Sequence, residues 1–247
     1  MIFRFGFDQF LISSSFISFA DCAPVESGST LTWDRSSWYD VKPPSKEQNP
    51  LVNLPYCIID NELISQTNAI FVYLGEKLGM LGDSPAQRIQ CQALLCELMD
   101  LRNATVAHGY GRGPPTDEHL SNICGPAGQF QKLELCLNQN ETKYGGVGTF
   151  LVGNKASAPD FHLWEMITQA KCLASRDKKA DPMTSFPALQ KFYKNFTQLP
   201  ENQRYLTSNL VLLPFNNKAA PFGGAQDMHA WKLGTKYDFH TWSGSVY

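Results

Sequence analysis

Gln66, Thr67 and Asn68 stand directly before a run with helical apolar spacing (Ile70, Tyr73, Leu74, Leu78), and Gly79 follows where a C′ glycine would end it. The first turn of a helix carries free backbone N–H groups and a partial positive charge, and Thr67 adds a hydroxyl, so a ligand carboxylate could dock there. Upstream, Leu54-Pro55 leads into the apolar run Tyr56-Cys57-Ile58-Ile59, the Asp60-Asn61 turn closes it, and Glu62-Leu63-Ile64-Ser65 reads as a second strand. If Pro55 is cis, the N–H and C=O of Leu54 turn outward and can pair with an extended peptide. A trans proline at a strand start and an ordinary polar N-cap explain the same residues without a ligand.

These features define a strand–strand–helix module, and the elements around it must position it. WDRSSWYDVK lies just upstream, and by themselves its Trp38 and Lys42 read as a surface aromatic beside a solvated lysine. The segment PPSKEQNPLV reads as a Pro-rich loop returning to the module. After Met80–Asp83, Ser84-Pro85-Ala86-Gln87 reads as an N-cap, a proline at N1 and a capping-box glutamine at N3. Ile89, Ala93, Leu94, Leu98 and Leu101 then form one face of a long helix. Gly125-Pro126 interrupts any helix begun near Glu118, which places the next main helix at 126–140 with Phe130, Leu133 and Leu137 inward. Ser157 and Asp160 form an S-x-x-D capping box before a helix bearing Leu163, Trp164, Ile167 and Ala170. Leu189, Phe192, Tyr193 and Phe196 form a core stripe, and 200–206 a short final helix.

LPY with an isoleucine and Asp60 behind it, QTNAI, WDRSSWYDVK, MDLRNATVAHGYG and FLVGNK…SAPDF resemble the cytosolic glutathione transferases, above all their Mu-like branch. The resemblance runs from about Trp33 to about Phe222. It implies an α+β fold: a thioredoxin-like glutathione-binding domain over 1–79, with 1–32 atypical, an all-helical domain over 84–213, and a tail over 214–247. It also implies glutathione as co-substrate, bound by Trp38, Lys42, Asn53, Leu54, Pro55, Gln66 and Thr67. Asp100 would reach the ammonium of the neighbouring subunit's glutathione in a homodimer, and Tyr110 would face the electrophile. The implied reaction is attack of the glutathione thiolate on small hydrophobic electrophiles in a cytoplasmic enzyme. A glutathione-binding protein impaired in catalysis, and a glutathione-dependent isomerase of the prostaglandin synthase type, are the alternatives.

The family's sulfur-activating tyrosine lies near the chain start, but no tyrosine precedes Tyr39 here, and the catalytic hydroxyl is left unassigned. Ser13, Ser14 and Ser15 offer hydroxyls in surroundings that do not match. The apolar, serine-containing run to Ala20 resembles a signal peptide, yet Asp8 and the serines dilute it. Three N-x-T sequons occur, at Asn103, Asn140 and Asn195. The net charge of −2 gives no electrostatic reason to expect nucleic acid or an anionic membrane. No apolar run approaches the roughly 20 residues that span a bilayer. Seven cysteines, an odd number without C-x-x-C pairs, and five histidines without ligand spacing argue against a disulfide framework and a metal site.

Overall fold

The structure is a computed structural model that describes residues 24–27, 30–33, 42–59, 62–144, 150–207, 215–216 and 220–224. They fall into two compact units that part between Ile70 and Phe71. The fold class is α+β, a thioredoxin-like start followed by a helical part.

In the first unit, β1 (Pro24–Ser27) pairs antiparallel with β2 (Thr30–Trp33). The expected loop after them instead opens with a short helix, α1 (Lys42–Gln48). Pro43 and Pro44 lie in its first turn, where a missing N–H costs nothing, so two prolines start a helix here rather than prevent one. Asn49 closes it: its side chain accepts from the Leu51 N–H at 2.9 Å and donates to the Leu63 carbonyl at 3.1 Å. The expected hairpin follows as β3 (Tyr56–Ile59) and β4 (Glu62–Ser65), antiparallel, with Tyr56 opposite Ser65 and Ile59 opposite Glu62. Val52 and Tyr56 are buried, with Leu54 and Leu63 packed on them.

Helix α2 (Thr67–Lys77) spans the boundary between the units. It ends as the sequence predicts. Gly79 has φ +65°, its N–H reaches the Glu76 carbonyl at 3.3 Å, and the Met80 N–H reaches the Gly75 carbonyl at 2.7 Å. This is a Schellman motif, which satisfies carbonyls that the helix end leaves open.

The second unit is built from α3 (Pro85–Gly109), α4 (Thr116–Cys124), α5 (Gln129–Tyr144), α6 (Ala158–Arg176), α7 (Pro187–Gln198) and α8 (Pro200–Leu206). Ser84 caps α3 as expected, its hydroxyl accepting from the Gln87 N–H at 3.2 Å. The Gln87 side chain reaches one residue further back than a capping box does, to the Asp83 N–H at 2.6 Å. The buried face of α3 is Cys91, Leu94, Leu95, Leu98, Leu101 and Thr105. Ile89 is exposed at 71 %, and Ala93 is exposed too, so both fall off the stripe predicted for them. Leu94, Leu98 and Leu101 are buried as predicted, and the face is completed by Cys91 and Leu95 rather than by Ile89 and Ala93.

Gly125-Pro126 does end a helix, α4, but the next begins at Gln129 and runs to Tyr144 rather than over 126–140. Phe130, Leu133 and Leu137 are buried as predicted.

Helix α6 is the centre of this unit and is buried on nearly every side. Its capping box is present, and Asp160 does more than cap. One carboxylate oxygen accepts from the Ser157 N–H at 2.8 Å and the Ser157 hydroxyl at 2.6 Å. The other accepts from the Leu151 N–H at 2.8 Å. Asn140 holds the same loop, donating to the carbonyls of Phe150 and Gly153 and accepting from the Gly153 N–H. Asn140 is thus buried with both ends of its amide engaged, which closes that sequon to modification in the folded chain. Glu134 on α5 caps α7 from a distance, accepting from the N–H groups of Ala188 and Leu189 at 2.9 and 2.8 Å.

Two histidines are buried here with a ring nitrogen lacking a protein partner, His119 at Nε2 and His162 at Nδ1. His119 stacks on His108, with ring centroids 4.9 Å apart, and His162 stacks on Phe71 at 5.0 Å. Burial lowers both, His119 to about 4, with the neighbouring His108 adding to it, and His162 to about 3, with Arg102 adding to it. Burial pushes Asp160 up to about 7 against the pull of its hydrogen bonds.

Two stability predictions follow from these groups. Asp160→Ala strands two backbone donors and a hydroxyl in the interior and should cost about 2–4 kcal/mol in urea unfolding. A loss under about 0.5 kcal/mol would contradict the role given to this carboxylate. Below about pH 6.5 the unfolded chain protonates His119 and His162 while the folded chain does not, so they destabilise the fold as pH falls toward 4. Asp160 acts with the opposite sign over an overlapping window, so the histidine contribution is read as a difference. On going from pH 7 to pH 5 the unfolding midpoint should fall less, or rise, in His119→Gln/His162→Gln compared with the wild type, and the same signed change in both would exclude the histidines as the cause.

Candidate functional site

Tyr56 opposite Ser65 is the last rung of the β3–β4 ladder, and it fixes what lies beyond it. Leu54 and Pro55 precede one strand while Gln66 and Thr67 follow the other, so all four emerge at one end of the hairpin. Ser65, buried, ties Asn53 to the same place. Its hydroxyl accepts from the Asn53 N–H at 3.0 Å and lies 3.1 and 3.3 Å from the carbonyls of Asn53 and Leu51. Sequence reasoning missed Ser65. Its signal was a lone hydroxyl ending an otherwise apolar-facing strand, directly before the polar Gln-Thr-Asn run.

The Leu54–Pro55 bond is cis. Among the described residues, no group pairs with the N–H or C=O of Leu54. Gln66 has φ +75°, a left-handed conformation that costs a non-glycine residue about 1–3 kcal/mol and is retained where the surroundings over-determine it. Its carbonyl accepts the first intrahelical bond of α2, from the Ile70 N–H at 3.0 Å. The amides of Thr67 and Ala69 therefore have no acceptor within the helix. Thr67 is buried and Gln66 exposed. The hairpin end thus offers an open backbone edge beside a helix N-terminus, which suits an extended peptide bearing a carboxylate.

Lys42 opens α1 and is half-buried. Trp38 lies outside the described residues, as do Ser13, Ser14, Ser15 and Tyr39. Asp100 and Tyr110 belong to the second unit. Asp100 is exposed on α3, and Tyr110 is the half-buried C-cap of that helix, about 15 Å further along its axis. Nothing in the sequence had singled out Arg102 and Arg112 on either side of Tyr110. The Arg112 guanidinium carbon sits 5.7 Å from the centre of the Tyr110 ring.

Three of the protein's own thiols are poor nucleophiles. Burial pushes Cys57, Cys91 and Cys124 up to about 11, which leaves almost no thiolate at neutral pH. No group of three or more histidine, cysteine or carboxylate side chains among the described residues could hold a metal ion. No helix among them is long and apolar enough to cross a membrane.

Residues 127–209 match the family model of the glutathione S-transferase C-terminal domain. Among curated proteins the chain is similar to glutathione S-transferase Mu 3 of Homo sapiens, 27 % identical over 199 residues, covering 79 % of this chain and 80 % of that protein. Glutathione S-transferase Mu 5 of Rattus norvegicus is 28 % identical over the same length and shares. The class-mu 26 kDa isozyme 7 of Fasciola hepatica is 29 % identical over 175 residues, 70 % of this chain and 74 % of that protein. The second unit carries a glutathione S-transferase C-terminal domain, and over about four fifths of its length the chain is similar to Mu-class glutathione S-transferases.

Proposed function

We propose that this protein is a glutathione transferase, which binds glutathione at the hairpin end and transfers its thiolate to small hydrophobic electrophiles. The observation that carries the reading is the junction of an open Leu54 backbone edge with the N-terminus of α2 at Thr67, a pairing that fits a peptide with a carboxylate at one end. In this reading the cysteinyl backbone of glutathione pairs with Leu54, beside Asn53 and Pro55. The γ-glutamyl carboxylate takes the hydroxyl and amide of Thr67 next to Gln66, and Trp38 and Lys42 hold the glycine carboxylate. Asp100 reaches the ammonium of glutathione bound by the partner in a homodimer, and Tyr110 faces the electrophile. The glutathione-binding domain then spans 1–79, the helical domain 84–213 and the tail 214–247, in a cytoplasmic enzyme.

The chemistry needs a thiolate. A free thiol has a pKa of about 8.5, so only a few per cent is ionised at pH 7, and a hydrogen bond to sulfur raises that fraction. The sulfur then bonds the electrophilic carbon with its lone pair as that carbon's bond to a leaving group breaks, the bonding pair departing with the leaving group, and the thiol proton leaves to solvent. A second reading, a glutathione-binding protein impaired in catalysis, is favoured by one observation: no tyrosine precedes Tyr39.

Calorimetric titration with glutathione tests the placement. Thr67→Val keeps the shape and removes the hydroxyl, so affinity should fall about tenfold, the worth of one hydrogen bond to a charged group. Affinity within twofold of wild type would contradict the carboxylate position. Asp100→Ala should weaken binding without changing the assembly state seen by sedimentation. Unchanged affinity would remove Asp100 from the ammonium site.

A further inference from the structure

Helix α2 begins at Thr67, and Phe71 and Gly75 follow one and two turns on. Residues four apart stand one above the other on a helix, so the three form one row, about 12 Å long, and all three are buried. Phe71 and Gly75 belong to the second unit, and there the row meets a matching row on α6. Phe71, 2 % exposed, stacks on His162 with ring centroids 5.0 Å apart and planes 19° from parallel. A Cβ at Gly75 would stand 2.6 Å from Leu81 Cδ2 and 3.5 Å from the Ala158 Cβ, so α2 lies close enough to its neighbours there to exclude a side chain. Ala158 and His162 are themselves four residues apart, and the Ala158 N–H donates to the Met80 carbonyl at 2.8 Å, just past the end of α2.

The receiving row does not shift freely. Asp160 stands between Ala158 and His162 in the chain, and its bonds to Ser157 and Leu151 fix where α6 starts. His162 adds the face of its ring. The group is 3 % exposed, its Nδ1 has no hydrogen-bond partner, and burial, with Arg102 adding to it, lowers it to about 3, so the ring is neutral near pH 7. A neutral flat ring against Phe71 gains more than its buried area alone gives, and it fixes orientation as well as distance. Truncating that ring leaves a void into which Phe71 can relax. The helix carries the movement on: α2 is hydrogen-bonded from the Ile70 N–H on the Gln66 carbonyl onward, so Phe71 and Thr67 move together. Gln66, directly before Thr67 at φ +75°, holds a conformation that persists only while its surroundings enforce it.

We propose that His162 is a positioning residue for glutathione: through Phe71, its ring sets the placement of the α2 N-terminus that receives the γ-glutamyl carboxylate. This rests on the reading of Thr67 as the carboxylate site, and it extends that site to a residue that acts only through the Phe71 ring.

The test compares glutathione with γ-aminobutanoyl-cysteinylglycine, which keeps the ammonium but lacks the α-carboxylate, by calorimetric titration of the full chain. His162→Ala should weaken glutathione binding about three- to tenfold and leave the analogue within about twofold of its wild-type affinity. His162→Phe, which restores a stacked ring, should bring glutathione back to within about twofold of wild type. Equal weakening of both ligands, unchanged affinity for both, or failure of His162→Phe to restore binding would overturn the proposal. Should His162→Ala not fold, Phe71→Leu, which keeps apolar volume without the stack, carries the same comparison. Should wild type bind no glutathione, the transferase reading fails, and amide hydrogen exchange decides whether His162 positions the α2 N-terminus. Faster exchange at Ile70 in His162→Ala, measured against the amides of α7 and reversed in His162→Phe, supports it, and an unchanged ratio overturns it.

Discussion

The second unit depends on a carboxylate that is fully shielded from water. Asp160 holds the start of α6 through Ser157 and, with its other oxygen, the chain at Leu151. A buried carboxylate is tolerated only when its lone pairs are matched, and here three donors match them. The consequence is positional. Helix α6 runs through the middle of the unit with apolar residues on most of its surface, so amphipathicity alone cannot set its rotation or starting point. A cap with fixed partners can. Asn140 repeats the device on the same loop from α5, and Glu134 caps α7 from the side. Three polar side chains thus register helices whose apolar faces would accept several arrangements.

The hairpin end follows the same logic on a smaller scale. Ser65 binds the chain at Leu51 and Asn53, and beyond the ladder the Leu54 backbone has no partner among the described residues. Gln66 turns through a left-handed conformation so that Thr67 can begin α2 beside that edge. An open peptide edge and a helix N-terminus are each ordinary. Their junction at one rung of one hairpin is the feature on which the proposed tripeptide site is built.

Much of this was readable from local chemistry. Ser84 and Ser157 announced helix starts, Gly79 announced a helix end, and the cis alternative at Pro55 was visible from its place before a strand. Asp160 was legible as a capping partner because its spacing from Ser157 is local, but its bond to Leu151 was not. Glu134 was invisible for the same reason, since nothing in a sequence ties it to Ala188. The helix over Lys42–Gln48 was missed because two prolines look like a loop unless they are placed in a first turn, and Ile89 and Ala93 were assigned to a stripe that begins at Cys91.

The central claim is that this protein binds glutathione and activates its sulfur, and the most direct test is an ultraviolet titration of the bound glutathione thiolate across pH on the purified chain. The account predicts thiolate absorbance that rises with an apparent pKa well below the free value of about 8.5, and that is lost when glutathione is replaced by its S-methyl derivative. Bound glutathione that still titrates near the free value would contradict the transferase account and leave a binding protein without sulfur activation.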